Sequence, residues 1–190
     1  MSQPKRRATY DDLMAVPDHL VAEIIDGELF TSPRPALPHA LASSGIGQDL
    51  APFTRGPRSP DAPSGWWILD EPELHLGDDV LVPDLAGWRH EHLPRVPNAA
   101  FITLAPDWVC EVVSPTTGRL DRVRKLPIYG REGVPHLWLV DPLARTLEVY
   151  RRQGDAWVVA TTHGGASAVH VEPFEAIAID LGRWWTEDVE

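Results

Sequence analysis

Asp84 and Glu111 are the two carboxylates whose positions in this chain call for a chemical reason. Asp84 follows Pro83 inside the strand-like run from Val80 to Trp88. Glu111 sits in the middle of Trp108-Val109-Cys110-Glu111-Val112-Val113, an apolar run of the buried-strand type. An acid in such a strand is costly to bury unless something compensates it, and a metal ion is the usual compensation. Side chains two apart share a sheet face, so the neighbour of Glu111 on that face is Val113, whose carbonyl is able to help hold a hard cation. Asp121 and Lys125 follow at a spacing of i, i+4, which puts them on one side of a helix. A helix folding back on the strand would bring Lys125 over Glu111. The structural alternatives are a turn role for Asp84, an edge-facing or salt-bridged Glu111, and a surface ion pair between Asp121 and Lys125, worth little.

The elements that must position these residues follow from pattern. Leu20 to Ile25 and Glu28 to Phe30 flank Asp26-Gly27, a hairpin signal. Pro38 opens a helix expected over 39–53, weakened by Gly45 and Gly47. Residues 54–65 read as loop, 66–69 and 73–76 as strands, and Asp78-Asp79 as the turn before the run from Val80. Residues 89–100, with two prolines, read as loop. Strand 108–113 leads through Ser114-Pro115-Thr116-Thr117-Gly118 into a helix over 119–130, with Leu120, Val123, Leu126 and Tyr129 as its apolar positions and a kink or restart at Pro127. Strand 136–140 and a hairpin around Gly154-Asp155 complete the pattern. This order predicts a mixed α/β sheet with helices packed on it. Residues 1–8 read as a disordered tail and 9–185 as a single domain, in keeping with 190 residues and 43% hydrophobic content.

Charge narrows the partners. The net charge of −11 argues against a protein that coats nucleic acid non-specifically. Only residues 105–152 are net positive, at +2. Arg119, Arg122, Arg124 and Arg131 in that block are the candidate DNA-facing residues, the alternative being a solvated helix face. One cysteine, Cys110, excludes a disulfide framework and cysteine-based zinc clusters, and with no targeting segment or membrane span in view a cytoplasmic setting is expected.

Several stretches together resemble a known family. Ala22-Glu23-Ile24-Ile25-Asp26-Gly27-Glu28-Leu29, Val82-Pro83-Asp84, Val109 to Thr117, Asp121 to Lys125 with Tyr129, and Gly133-Val134-Pro135-His136-Leu137-Trp138-Leu139-Val140-Asp141-Pro142 occur in the order and spacing of the Uma2-like proteins (DUF820). That family is similar to the PD-(D/E)XK restriction-endonuclease-like phosphodiesterases. The resemblance implies a mixed sheet flanked by helices, with an N-terminal hairpin. It implies that Asp84 and Glu111 bind the metal, Mg²⁺ or Mn²⁺, and that Glu23 adds a third acid. The lysine expected two positions after Glu111 is replaced by Val113, and Lys125 would be its migrated counterpart. His39 stands where the family often has a histidine.

The implied activity is metal-dependent endonucleolytic hydrolysis of DNA, and Asp84, Glu111 and Lys125 supply its chemical needs. Mg²⁺ on carboxylates polarises a phosphoryl group and acidifies water, and an ammonium steadies developing charge. The alternative, motivated by Val113, is a nuclease fold without cutting activity that serves as a binding or assembly module. A homodimer stays open. Other signals carry less. His90-Glu91-His92 lacks further zinc ligands at a recognised spacing. There is no phosphate-loop or nucleophile-elbow motif. Cys110 reads as core, Trp66-Trp67 as core rather than a sugar platform, and Trp184-Trp185 as packing on the sheet or on a partner subunit.

Overall fold

The computed structural model describes residues 6–54, 64–115 and 118–186. Most of the expected loop over 54–65, and Thr116-Thr117 of the expected turn, lie outside the described residues. So do residues 1–5 of the expected tail. Its inner end is ordered: the Ala8 N–H donates to the Gly27 carbonyl at 2.8 Å.

A short helix, α1 (Tyr10–Met14), starts at Thr9, whose hydroxyl accepts from the Asp12 N–H while the Asp12 carboxylate accepts from the Thr9 N–H. Strands β1 (Leu20–Ile25) and β2 (Glu28–Pro33) form the expected hairpin. Asp26 and Gly27 both adopt positive φ, 52° and 80°, as the tight turn requires. Helix α2 (Leu37–Thr54) begins two residues earlier than the sequence predicts. Gly45 is explained by packing, since a Cβ there would lie 2.9 Å from Trp184 Cδ1.

Strands β3 (Trp66–Asp70), β4 (Glu73–Leu76), β5 (Asp79–Leu81), β6 (Leu85–Arg89), β7 (Phe101–Ile102), β8 (Trp108–Val112) and β9 (His136–Asp141) follow, with helical segments between the last two. The chain then continues through β10 (Thr146–Gln153), β11 (Ala156–Gly164), β12 (Ala168–Val169) and β13 (Ile179–Asp180), and a 3₁₀ turn over Leu181–Trp184. A five-stranded sheet runs β2-β1-β5-β4-β7 and a six-stranded sheet runs β11-β10-β9-β8-β6-β3. In the larger sheet β8 and β9 are parallel and the other pairs antiparallel, so it is mixed as expected. The predicted single run from Val80 to Trp88 is two strands in two sheets, β5 and β6. Proline cannot donate to a sheet ladder, and Pro83 marks where the chain passes from one sheet to the other.

Alternation along β8 sorts the core into two layers. Trp108, Cys110 and Val112 pack under α2 with Trp138, Phe174 and Trp184. Val109 and Val113 pack on the opposite face with Leu126, Ile128, Tyr129, Leu137 and Leu139. Trp184 and Trp185 are thus buried in their own chain, which removes the alternative of a partner subunit covering them. Trp66 is core as expected.

The expected helix over 119–130 is helical but not uniformly α. It comprises α3 (Gly118–Leu120), a π turn over Asp121–Lys125, and α4 (Leu126–Arg131). The Leu126 N–H donates to the Asp121 carbonyl, five residues back. Pro127 then falls in the first turn of α4, where its missing N–H costs nothing. The wider turn rotates the buried face. Val123, predicted apolar and inward, is 57% exposed, while Asp121 and Lys125 are buried.

Candidate functional site

The junction of the two sheets holds a cavity of about 330 Å³. Each sequence-predicted acid reaches it from a different element: Glu23 from β1, Asp84 from the link between β5 and β6, Glu111 from β8 and Asp121 from the π turn. Lys125 and His39 line it as well. The predicted residues therefore converge, although they are scattered over a hundred positions of sequence.

Lys125 is the hub. Its ammonium lies 2.9 Å from Glu23 Oε1, 3.0 Å from Glu111 Oε1 and 3.6 Å from Asp121 Oδ1. The expected approach of Lys125 to Glu111 is present, and the alternative of a surface Asp121–Lys125 pair is not, because both residues are buried. Glu23 Oε1 also accepts the Val82 N–H at 2.8 Å, which ties the hairpin to the turn bearing Asp84. The Tyr129 hydroxyl donates to Glu111 Oε1 at 2.6 Å. The sequence marks Tyr129 as an apolar helix position and as part of the family motif, without a role for its hydroxyl. The signal that would have found it is its spacing of four from Lys125 on the same helical face.

Asp84 occupies the other side. Its Oδ2 accepts the Val112 N–H at 2.7 Å and its Oδ1 lies 3.1 Å from His39 Nε2. The main-chain group of β8 that meets Asp84 thus belongs to Val112. The Val113 N–H is paired with the Val140 carbonyl of β9, on the strand edge away from Asp84. The expectation for the Val113 carbonyl is corrected accordingly: backbone groups alternate in direction along a strand, so the residue next to the acid, not the one after it, faces the first carboxylate.

Burial drives the Glu111 carboxyl well above its ordinary value. Lys125 pulls it back, but Asp121, Asp84 and Glu23 add to the rise. Burial pushes Lys125 down, yet the Glu111 and Glu23 carboxylates pull it up more strongly, so it stays an ammonium. His39 is pushed down by burial and up by Asp84 and the Val112 carbonyl, with a net rise. Burial likewise lifts the Cys110 thiol well above its usual range, in line with a core role.

Five carboxyl groups, those of Glu23, Glu71, Asp84, Glu111 and Asp121, line the cavity with one lysine, one arginine and one histidine, so acids predominate. Among the described residues no three His, Cys, Asp or Glu side chains lie close enough to enclose a metal. What the residues fit is the Mg²⁺ type of site, in which one or two carboxylates suffice and water completes the shell. Asp84 and Glu111, the pair expected from the sequence, both stand on the cavity wall.

The four predicted DNA-facing arginines are not gathered on one patch. Arg131 pairs with Asp79 at 2.6 Å, in a separate polar cleft. Arg122 pairs with Glu148 at 3.1 Å and Arg124 with Asp26 at 2.9 Å. Arg119 and Arg124 border a cavity with Phe30 and Val123 that shares Ser32 and Leu120 with the acidic one. Arg34 and Glu71, both missed from the sequence, also line the acidic cavity.

An acidic, lysine-centred cavity thus lies where the two sheets meet. Residues 8–182 match the model of the Uma2 family, described as "Putative restriction endonuclease", and the chain belongs to that family. It is similar in fold to a protein of known crystal structure from Anabaena variabilis, described as "a putative nuclease belonging to DUF820". The TM-score is 0.69, at 24% identity, over 93% of this chain and 98% of that one. A comparison with curated proteins found no match. Among the described residues no helix is long and apolar enough to cross a membrane.

Proposed function

We propose that this chain is a Mg²⁺- or Mn²⁺-dependent endonuclease that hydrolyses phosphodiester bonds in DNA. The observation that carries the reading is the convergence of Asp84, Glu111 and Lys125 on one cavity in a chain of the Uma2 family. When bound, the metal would polarise the phosphoryl group and supply hydroxide at neutral pH. Asp84 and Glu111 would hold it. Lys125, kept charged by its acidic neighbours, offsets the negative charge that builds on the phosphoryl oxygens. Glu23 acts through others: it fixes the Lys125 ammonium and the turn that carries Asp84. Tyr129 holds one oxygen of Glu111. Asp121 adds to the negative field, and His39 orients Asp84. Arg119 and Arg124 meet the DNA backbone beside the cavity, with Arg122 and Arg131 further out.

The test is cleavage of supercoiled, linear and single-stranded DNA with Mg²⁺ or Mn²⁺ by wild type, Asp84→Asn and Glu111→Gln. Metal-dependent cutting by wild type and its loss in both variants are expected. Binding without cutting by wild type, across metals and substrates, would instead make the protein a nuclease-fold binding module. Replacement of the strand lysine by Val113 is the feature that favours that second reading.

A further inference from the structure

A second cavity, of about 580 Å³, adjoins the acidic one and shares Pro35, His39, Glu71 and Asp84 with it. Its other walls are a polar side of α2, with Ser43, Ser44, Gly47 and Gln48, and Ile68 and Asp70 of β3. The size lies within the roughly 300–1,000 Å³ usual for small-molecule sites. Two features define what it takes. Its charged side chains other than His39 are acids, namely Asp70, Glu71 and Asp84, so a phosphate is repelled. Its remaining polar groups are uncharged hydroxyls and an amide, which pair with sugar hydroxyls and base edges.

The cavity that adjoins the acidic one through Ser32 and Leu120 differs in kind. There Arg119 and Arg124 stand beside Phe30, a setting for backbone phosphate. The three cavities form a series, with Asp84 and Glu111 in the middle one. Glu71 stands at the wall between the acidic and polar cavities, held at a φ of 45° that a glutamate rarely adopts.

Resting on the endonuclease reading above, we infer that the cavity between α2 and β3 is a nucleoside subsite. It receives the sugar and base on one side of the scissile phosphate, while the chain on the other side runs past Arg119 and Arg124. The subsite then lends remote binding energy to cleavage of a polynucleotide but none to a phosphodiester that lacks nucleosides.

The experiment compares two substrates, a fluorescein-labelled oligodeoxynucleotide and bis(p-nitrophenyl) phosphate, with Mn²⁺ present. Ser44→Trp fills the second cavity from an exposed helix position. It is expected to lower oligonucleotide cleavage about tenfold or more and to weaken oligonucleotide binding measured by anisotropy, with hydrolysis of the small ester unchanged. Gln48→Ala, also at an exposed helix position, gives the same pattern at smaller scale if the tryptophan prevents folding. Equal oligonucleotide binding and cleavage by wild type and variants would overturn the subsite. Parallel loss on both substrates in a folded variant would overturn it too, because the cavity would then not be separable from the reacting centre. A wild type inert towards both substrates would sink the endonuclease reading itself.

Discussion

Glu111 and Asp84 line one cavity, yet the side chain of the first is 3% exposed and that of the second 16%. The Glu111 half is a dry cluster in which Lys125, Tyr129, Glu23 and Asp121 fix each other, and each partner is needed to keep a buried charge tolerable. The Asp84 half is a carboxylate held by one backbone N–H and one imidazole at the edge of a wider groove. The two halves differ in what holds them: the buried half is fixed by mutually dependent charges, and the open half by two contacts beside a wider groove.

Breaking the buried half has the largest expected effect. Lys125→Met leaves three buried acids without their cation, so it should cost about 3–5 kcal/mol of stability in urea unfolding. Adding Glu111→Gln should restore part of it, and strict additivity of the two changes would show that the halves of the pair are not coupled. In the open half the effect shifts from stability to ligand. Mn²⁺ at 100 times its dissociation constant should stabilise wild type by about 2.7 kcal/mol in thermal unfolding. Asp84→Asn should abolish that gain while changing the metal-free protein by less than about 1 kcal/mol. A retained metal response would remove Asp84 from the ligand set.

Tyr129→Phe tests whether the hydroxyl or the lysine dominates the hold on Glu111. A loss of about 1 kcal/mol is expected for one hydrogen bond, well below the lysine variant. The smallest effect lies outside both halves and sharpens the contrast. Asp12, in an open capping box, is held down to about 2 by the Thr9 N–H and the Arg6 guanidinium, opposite in direction to buried Glu111. Its folded value is lowered, so its small contribution is present above the unfolded carboxylate range and lost as pH falls through about 2. An NMR titration of the Asp12 carboxyl should give that value. A midpoint near the ordinary 3.8 would mean the box does not form in solution.

Much of the buried half is legible in sequence because it follows from short-range pattern. An acid inside an apolar strand and a lysine four residues after an aspartate mark Glu111 and Lys125 directly. Glu23 and His39 needed resemblance to a family, since nothing in their local pattern separates a hairpin glutamate or a helix histidine from a surface residue. The π turn left no trace in the period-three apolar positions, which pointed to Val123 as buried. The cause is that one residue of extra helical width reassigns the inward face to Asp121, Lys125 and Tyr129. The second sheet was equally hidden, because Val80 to Trp88 reads as one strand until Pro83 is seen to divide it. The partners of the arginines were not legible, because nearness in sequence says nothing about which acids across the fold pair with each guanidinium: Glu148 for Arg122, Asp26 for Arg124 and Asp79 for Arg131.

The clasp of Glu23 on the Val82 N–H spans 59 residues of chain, and that of Asp84 on the Val112 N–H spans 28. Closing such loops is an entropic cost met only when distant segments have already docked. The cavity is therefore complete only once these segments have docked. A nascent polypeptide that has not reached Lys125 in the π turn lacks the ammonium around which the acids assemble. A released N-terminal fragment, however well its hairpin and α2 form, carries the carboxylates of Glu23 and Asp84 as separate surface charges with no common centre.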